Sequence, residues 1–508
     1  MRVTTTSSAS DRRDDGRPAA PAPGASPGTP PGSSPGSSPD AGGGVLSRPF
    51  RALTFGIVSC VLLIAFEATA VSTAMPVAAR ELHGVGLYAF AFSGFFTTSL
   101  LALVISGEWC DQRGPLTPMS WGIGLFGAGL VIAGTASRMW VFVGGRAVQG
   151  LGGGLVIVAL YVVVGRAYPE RLRPSVFAAF SASWVVPSIV GPAVSGTVTE
   201  QLGWRWVFLS IPVIVLLPAG VMVPQLRRLA RADAGAEADS DGARPGRWNR
   251  RRIVLAVAVA VGAGLLQYAG QRLDWAALAP ALVGAALLVP AVLRLMPAGT
   301  LRAGRGLPTV ILLRGVAAGS FAAAESFIPL MLVTERGLSP TWAGLSLTSG
   351  GLSWAAGSWL QGRPWLAHRR ERLIQAGFLC STAGIAGAGS ALLPGVPAWV
   401  VACAWLVAGV GMGMLISALS VLTLGLSAPE DTGLNSASLQ MSDSLGNVLL
   451  VGLAGVLFAA LGGGAAGAAG VASAAAHTPR AAFGAIFAVM AAIALTGTAL
   501  ARRVHDDA

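Results

Sequence analysis

Apolar runs of about 20 residues recur along nearly the whole chain, and they constrain the fold more than any other feature. A helix rises about 1.5 Å per residue, so each run is long enough to cross a hydrocarbon core of roughly 30 Å. We count fourteen such runs, which predict an all-α polytopic membrane protein. The predicted spans are 52–78, 86–107, 117–137, 140–164, 175–196, 205–224, 253–270, 275–296, 307–333, 340–361, 373–394, 397–425, 435–462 and 481–501.

The amino-acid composition argues against a soluble protein of this length. Charged residues make up 11% of the chain and hydrophobic residues 53%, whereas soluble proteins carry about 25% charged residues. The net charge is +12, and all 35 basic residues are arginines. These arginines cluster in short segments between the apolar runs, a distribution that orients membrane spans and does not follow nucleic-acid phosphates. We therefore expect a lipid bilayer around the chain and no nucleic-acid partner.

The arginines also predict an orientation. They concentrate in every second connection, beginning with Arg48 and Arg51, whereas the connections between hold isolated ones such as Arg80 and Arg138. Positive loops stay in the cytoplasm, so both termini are predicted to be cytoplasmic, which requires an even number of spans. The segment 427–433 carries no arginine and is an exception to the pattern.

Polar segments divide the spans into groups. Residues 1–47 are rich in Pro, Gly, Ser and Ala and lack the apolar side chains that a core needs, so they are predicted to be a disordered cytoplasmic tail. A second polar segment follows the sixth span. We expect a six-helix bundle at 48–224, a cytoplasmic linker at 225–252, two extra spans at 253–296, a second six-helix bundle at 297–501 and a cytoplasmic tail at 502–508.

Few charged side chains lie inside the predicted spans, and a charge in lipid is costly unless it is paired, hydrated or functional. Glu67 lies about 24 Å from the cytoplasmic edge of its span and Arg146 about 9 Å from the outer edge, which is a similar depth. We hypothesise that the two face one cavity, where a proton or a substrate shifts the balance of charge. The alternative is a static structural ion pair.

Three further charged residues belong to the second bundle. Arg314 and Glu325 are separated by roughly 16 Å along one helix and cannot pair directly. Arg314 lies near the cytoplasmic end and is expected to extend its side chain to the membrane surface. Glu325 is expected to line a cavity or to be buried with a partner that the sequence does not reveal. Asp443 either lines the inner vestibule or caps local backbone.

Short motifs occur at fixed places relative to the spans. Glycines in these motifs permit close helix packing, and prolines bend a helix by removing a backbone hydrogen bond. The motifs are Glu67-Ala-Thr-Ala-Val71 in span one, Gly107-x-x-x-Asp111-x-Arg113-Gly114 after span two, Arg146-Ala-Val-Gln149-Gly150 in span four and Pro187-x-x-x-Gly191-Pro192-x-x-Ser195-Gly196 in span five.

In this order, over about residues 50–501, these motifs resemble the major facilitator superfamily. The layout of six, two and six spans resembles its fourteen-span drug:proton antiporter branch. The resemblance implies a major-facilitator-type fold of two six-helix bundles plus two extra spans. It also implies roles for three groups of residues. These are Gly107, Asp111, Arg113 and Gly114 as a cytoplasmic latch between the halves; Arg146, Gln149 and Gly150 as the span-four motif, whose arginine takes part in proton transfer; and Pro187, Gly191, Pro192 and Gly196 as an antiporter motif.

This sequence departs from the family pattern at several positions. Pro115 and Leu116 stand where the latch usually has basic residues, which would weaken it. Glu67 stands in place of the aspartate usual in span one. Pro187 replaces the first glycine of the span-five motif.

The predicted function is a proton-coupled secondary transporter that exports amphipathic or cationic small molecules by alternating access. Glu67, Arg146, Glu325 and Asp443 are the candidate coupling residues. An importer, or an exporter of lipids or metabolites, remains an alternative on the same fold. A membrane enzyme is less favoured, because the chain contains no His-Glu-x-x-His, no phosphate-binding loop and no Cys/His cluster. A channel is less favoured, because no short filter or repeated pore segment is visible.

The expected partners are protons and a small-molecule substrate, with no cofactor and no metal. We expect a monomer. The lack of lysine and the abundance of Ala, Gly and Arg fit a bacterial gene rich in G and C, which predicts the bacterial cell membrane as the location.

Overall fold

The computed structural model describes residues 44–48, 50–238, 249–272, 275–363, 369–428, 431–462 and 479–504. Fourteen α-helices and a few 3-10 turns make up the regular structure of these residues, without a strand. The helices are α1 Arg51–Glu81, α2 Tyr88–Arg113, α3 Leu116–Gly134, α4 Met139–Ala167, α5 Arg173–Gln201, α6 Trp204–Ala238, α7 Arg250–Arg272, α8 Leu278–Leu295, α9 Leu307–Glu335, α10 Pro340–Gln361, α11 Arg370–Ser390, α12 Val400–Gly425, α13 Thr432–Ala460 and α14 Pro479–Leu500. The prediction of an all-α fold is confirmed.

Twelve segments of the described chain are long and apolar enough to cross a membrane. The two remaining long helices are α5 and α10, which carry many Ser, Thr and Gly residues and contact each other. Part of each helix therefore faces protein and not lipid, which relaxes the need for apolar side chains.

Two sets of six helices pack in the same pattern. In the first set α1 contacts α5 and α6, α2 contacts α4, and α3 contacts α4 and α6. In the second set α9 contacts α13 and α14, α10 contacts α12, and α11 contacts α12 and α14. Adding eight to each helix number converts the first pattern into the second. Such structural repetition is typical of secondary transporters.

The two sets, which we call the first half (α1–α6) and the second half (α9–α14), meet along two seams. One seam joins α2 to α13 and the other joins α5 to α10. We call the face at which α1 begins and α14 ends the terminal face, and the face at which α1 ends the opposite face. The helices α7 and α8 form a hairpin beside the halves, in which α7 packs on α2 and α13 and α8 packs chiefly on α7.

Glycines let α4 pack closely between two helices of the first half. A Cβ atom on Gly150 would collide with the carbonyl oxygen of Phe95 on α2, and one on Gly152 with the backbone nitrogen of Phe126 on α3. Gly154 faces α2 as Gly150 does. The glycines thus hold α4 at backbone contact on both sides, which fixes the position of Arg146 one turn before them.

The polar segments that were predicted to divide the chain are only partly described. Residues 225–238 of the predicted linker are helical and continue α6. Residues 44–47 of the predicted tail form part of a turn, and residues 1–43, 239–248 and 505–508 lie outside the described residues.

Candidate functional site

Glu67 on α1 and Arg146 on α4 form a buried ion pair. The Arg146 Nη1 atom donates to the Glu67 Oε1 atom. The Glu67 side chain is only 1% exposed and the Arg146 side chain 4%. Removing either charge from water costs several kcal/mol, roughly, which the opposite charge offsets in part. The structure thus brings together the two residues that the depth argument placed at one level.

The surroundings of Arg146 hold the guanidinium in one orientation. Its Nη1 atom also donates to the Gln149 Oε1 atom at 2.6 Å, and its Nε atom donates to the Ala91 carbonyl oxygen at 3.4 Å. The Phe95 ring lies under the guanidinium, 4.5 Å from its central carbon to the ring centroid. Such a cation–π contact adds about 0.5–2 kcal/mol, more when it is shielded from water. Helix α2 therefore forms one wall of the site.

Two polar atoms of this site have no hydrogen-bond partner among the described residues. They are the Oε2 atom of Glu67 and the Nε2 atom of Gln149. A buried polar atom without a partner costs about 1–3 kcal/mol. The site therefore has an unused acceptor and an unused donor, which can receive a proton, a water molecule or a polar group of a ligand.

A second ion pair joins α9 to α13. The Arg314 Nε atom donates to the Asp443 Oδ1 atom at 2.6 Å. The Arg314 Nη1 atom also donates to the Ile416 carbonyl oxygen at 3.2 Å and to the Ser420 Oγ atom at 3.3 Å. The expectation that Arg314 extends to the membrane surface is therefore wrong, because acceptors on α12 and α13 are within its reach. Asp443 pairs with Arg314, and its role in lining the inner vestibule stays a prediction.

Glu325 lies on α9 beside an aromatic wall. The Trp405 side chain on α12 lies beside the Glu325 carboxylate. The Trp405 ring stacks on the Phe321 ring at 4.6 Å between centroids, and the Trp354 ring of α10 meets Phe321 edge-on at 5.7 Å. No arginine among the described residues forms an ion pair with Glu325. Trp405 cannot be singled out from the sequence, because a tryptophan in an apolar run looks like any other packing residue.

The motif that ends α2 contacts its own half and the extra hairpin. Helix α2 ends at Arg113, and Gly114 takes the left-handed backbone conformation with φ of 69°. The Arg166 Nη2 atom of α4 donates to the Cys110 carbonyl oxygen at 3.4 Å. The Glu108 Oε2 atom accepts a hydrogen bond from the Asn249 backbone N–H at 3.0 Å. The latch between the halves, assigned to Gly107, Asp111, Arg113 and Gly114, stays a prediction.

The span-five motif packs on α1 next to Glu67. The Thr69 hydroxyl donates to the Pro187 carbonyl oxygen at 3.3 Å, and the Ser195 hydroxyl donates to the Ala70 carbonyl oxygen at 2.7 Å. A Cβ atom on Gly191 would collide with the Thr69 Oγ1 atom. The motif thus binds the stretch of α1 that follows Glu67.

The same motif also lines the seam between α5 and α10 near the opposite face. A Cβ atom on Gly196 would lie 2.5 Å from the Thr341 Cα atom, and one on Gly344 would lie 2.8 Å from the Pro192 carbonyl oxygen. The Glu200 Oε1 atom accepts a hydrogen bond from the Thr341 backbone N–H at 2.9 Å. The halves therefore meet at this end through small residues and through the Glu200 carboxylate of α5, which binds the start of α10.

These features define a class of protein. Apolar helices in two repeated halves, with a largely buried ion pair inside each half, are the architecture of a secondary transporter. The family model of the Major Facilitator Superfamily matches residues 57–451. The chain belongs to the Major Facilitator Superfamily and is an integral membrane protein that crosses the bilayer several times.

Individual relatives are distant. The chain is 27% identical over 434 residues to MFS transporter L2 of Phoma sp., covering 80% of this chain and 69% of that protein. It is 27% identical over 170 residues to Multidrug transporter protein MdtP of Bacillus subtilis, covering 34% of this chain and 30% of that protein. The solved structure of a POT family transporter in complex with 5-aminolevulinic acid matches with a TM-score of 0.64 at 13% identity, over 90% of this chain and 97% of that one. That last likeness concerns the fold alone.

Proposed function

We propose that the protein is a proton-coupled antiporter that exports amphipathic or cationic small molecules by alternating access. The observation that carries the proposal is the buried pair of Glu67 and Arg146, in which the Glu67 Oε2 atom has no partner among the described residues. We infer that a buried carboxylate with one oxygen in an ion pair and the other without a hydrogen-bond partner can bind and release a proton.

The proton step balances within this site. A proton that reaches the free Oε2 atom neutralises Glu67, and Arg146 then keeps its charge without a paired anion. The Gln149 amide oxygen and the Phe95 ring continue to hold the guanidinium. The loss of the ion pair weakens the tie between α1 and α4, which favours the rearrangement of the halves. Release of the proton on the other side restores the pair.

Glu325 and its aromatic wall form the proposed contact for the substrate. A carboxylate without an arginine partner attracts a cation, and the faces of Phe321, Trp354 and Trp405 attract an organic cation in particular. The name of the Bacillus subtilis relative, a multidrug transporter, is in keeping with this assignment.

The driving force and the orientation follow from the same proposal. One proton that crosses 100 mV supplies about 2.3 kcal/mol, which corresponds to roughly a fiftyfold concentration ratio for an uncharged substrate. For a monovalent cation exchanged one for one, the membrane potential acts equally on both ions, so the pH difference supplies the driving force. We place the terminal face in the cytoplasm of a bacterial cell, because arginines concentrate in the connections on that face. We assign the protein to the fourteen-span drug:proton antiporter branch as a monomer, with Gly107, Asp111, Arg113 and Gly114 as its cytoplasmic latch.

The test uses the purified protein in liposomes that contain a pH-sensitive dye. A pH gradient is imposed, and lipophilic cations are added in turn. We expect proton movement that depends on the cation and that is lost in Glu67→Gln. Glu170→Gln is the matched control, because its carboxylate is 90% exposed and, among the described residues, pairs with Arg173 within the same turn.

Two outcomes would contradict the proposal. Cation-dependent proton movement at the wild-type rate in Glu67→Gln would remove Glu67 from the proton path. Movement of proton and solute in the same direction would identify an importer instead.

A further inference from the structure

The extra hairpin covers only one of the two seams between the halves. Helix α7 packs on both α2 and α13, so it contacts each half along the same seam. The other seam, between α5 and α10, has no such cover from α7 or α8 in the described contacts. When the halves change their relative position, α7 must either follow one of them or lose contact with both.

One buried side chain of α7 bonds to both halves. The Ser93 hydroxyl of α2 donates to the Gln267 Oε1 atom at 2.7 Å. The Gln267 Nε2 atom donates to the Val448 carbonyl oxygen of α13 at 3.4 Å. Gln267 is 7% exposed and Ser93 is 1% exposed. At this depth a broken hydrogen bond is not replaced by one to water, so the two bonds matter for where α7 stays.

The two bonds differ in length and in support. The bond to α2 has a typical length, whereas the bond to α13 is longer than is usual for an N–H···O hydrogen bond. A second hydrogen bond joins α7 to α2 near the terminal face, from the Asn249 N–H to the Glu108 carboxylate at 3.0 Å. Two levels about 22 Å apart along α2 are thus held to α7.

The contact between α7 and α13 includes a stretch of bare backbone and an open volume beside it. A Cβ atom on Gly452 would lie 2.8 Å from the Gln267 Nε2 atom, so the α13 surface under Gln267 is bare backbone. A cavity of about 480 Å³ lies between α7, α8 and α13, and Gln267 is its one polar lining residue. Its walls also include Ala263, Leu266, Val448 and Val456. A bare surface beside an open volume permits sliding, because few side chains have to repack.

We propose that the α7–α8 hairpin moves with the first half and slides across α13, with Gln267 as the residue that positions it. The proposal uses the alternating access of the proposed function. It does not depend on the identity of the substrate or on proton coupling. In each cycle the bond from Gln267 to Val448 breaks, and the bond from Ser93 to Gln267 persists.

Two crosslinks distinguish the two sides of α7. In a background without the four native cysteines, one variant carries Ser93→Cys with Gln267→Cys and the other carries Gln267→Cys with Gly452→Cys. A short bifunctional thiol reagent closes each pair. We expect the crosslink between α2 and α7 to leave transport at the level of the untreated variant. We expect the crosslink between α7 and α13 to abolish transport until the crosslink is cleaved.

A measurement without substrate keeps the test valid if no transported compound is found. Spin labels are placed at exposed positions near the terminal face, by Val254→Cys on α7, Trp121→Cys on α3 and Leu424→Cys on α12. We expect one distance between α7 and α3 at all pH values and two populations of the distance between α7 and α12. A single fixed distance to α12 with a variable distance to α3 overturns the proposal, as does transport that survives only the crosslink to α13.

Gln267→Leu separates positioning from a merely structural role. The variant keeps the volume of the side chain but lacks both hydrogen bonds. We expect a broader distribution of the distance between α7 and α3, and a lower kcat with KM unchanged. Unchanged distances and kinetics in a folded variant would contradict the role of Gln267.

Discussion

The two ion pairs that hold the candidate coupling residues differ in how completely their polar atoms are used. Glu67 and Arg146 are almost fully sealed, and they leave the Glu67 Oε2 and Gln149 Nε2 atoms without partners in the described chain. Arg314 and Asp443 are 11% and 18% exposed, and Arg314 has further acceptors on α12. A buried pair with unpartnered polar atoms is costly to keep, whereas a pair whose arginine has further acceptors stabilises the contact between helices.

The depth of each pair accounts for this difference. Glu67 is 16 residues after Arg51, where α1 begins. Arg314 is 7 residues after Leu307, where α9 begins. The first pair therefore lies about 24 Å from its helix start and the second about 10 Å. We infer that the first pair serves proton coupling and that the second holds α9 to α13.

The largest expected effect follows from breaking the sealed pair. Glu67→Ala leaves Arg146 charged and buried without an anion, which typically costs about 3–5 kcal/mol. We expect a large fall in the thermal unfolding midpoint of the purified protein in detergent. The double variant Glu67→Gln with Arg146→Gln should recover much of that loss, since neither buried charge remains. If the double variant is as unstable as Glu67→Ala, the cost does not come from the unpaired charge.

A smaller effect is expected at the second pair. Asp443→Ala leaves Arg314 with the Ile416 carbonyl and the Ser420 hydroxyl, so we expect a loss of about 1–3 kcal/mol. Proton movement that depends on a cation should persist, which a dye assay in liposomes measures. If Asp443→Ala stops proton movement in a folded protein, the comparison fails and Asp443 belongs to the coupling residues, as the sequence suggested.

The ring beneath Arg146 provides a third distinction between the pairs. Phe95→Leu keeps an apolar side chain but removes the cation–π contact, which contributes about 0.5–2 kcal/mol. We expect a modest loss of stability and a shifted pH dependence of transport, because the protonated state relies on this ring to hold the guanidinium. Phe96→Leu, which alters the neighbouring ring, is the matched control. An equal effect of both variants would indicate a general packing defect.

The sequence predicted the fold well because membrane thickness sets helix length. Helix α10 was expected at 340–361 and is observed at Pro340–Gln361. The same arithmetic brought Glu67 and Arg146 to one depth. Helix length alone does not predict the contact between Arg314 and Asp443, because that contact depends on α9 and α13 being neighbours. The role of Gln267 cannot be predicted either, because one uncharged polar residue in an apolar run does not indicate which helices it will contact.

The smallest expected effect concerns Glu200, which lies past the predicted span 175–196 at the opposite face. Hydrogen bonds from the Thr341 backbone N–H and from the Ser339 side chain hold the pKa of the Glu200 carboxyl below its usual range. A lowered pKa in the closed seam means that the ionised carboxylate stabilises the closure at neutral pH. This contribution is present above the pKa of the free carboxyl and is lost as the pH falls through the lowered value. Unlike the buried pairs, this contact is exposed and screened by salt.

The expected outcome is a slightly wider seam in Glu200→Gln at neutral pH. Spin labels at Val194 on α5 and at Trp342 on α10, both exposed, report the distance across it. The difference between wild type and Glu200→Gln should vanish in acid, where the wild-type carboxyl is also neutral. A difference that persists in acid would mean that the charge of Glu200 does not act at the seam. Only the buried pair would then link protonation to the arrangement of the halves.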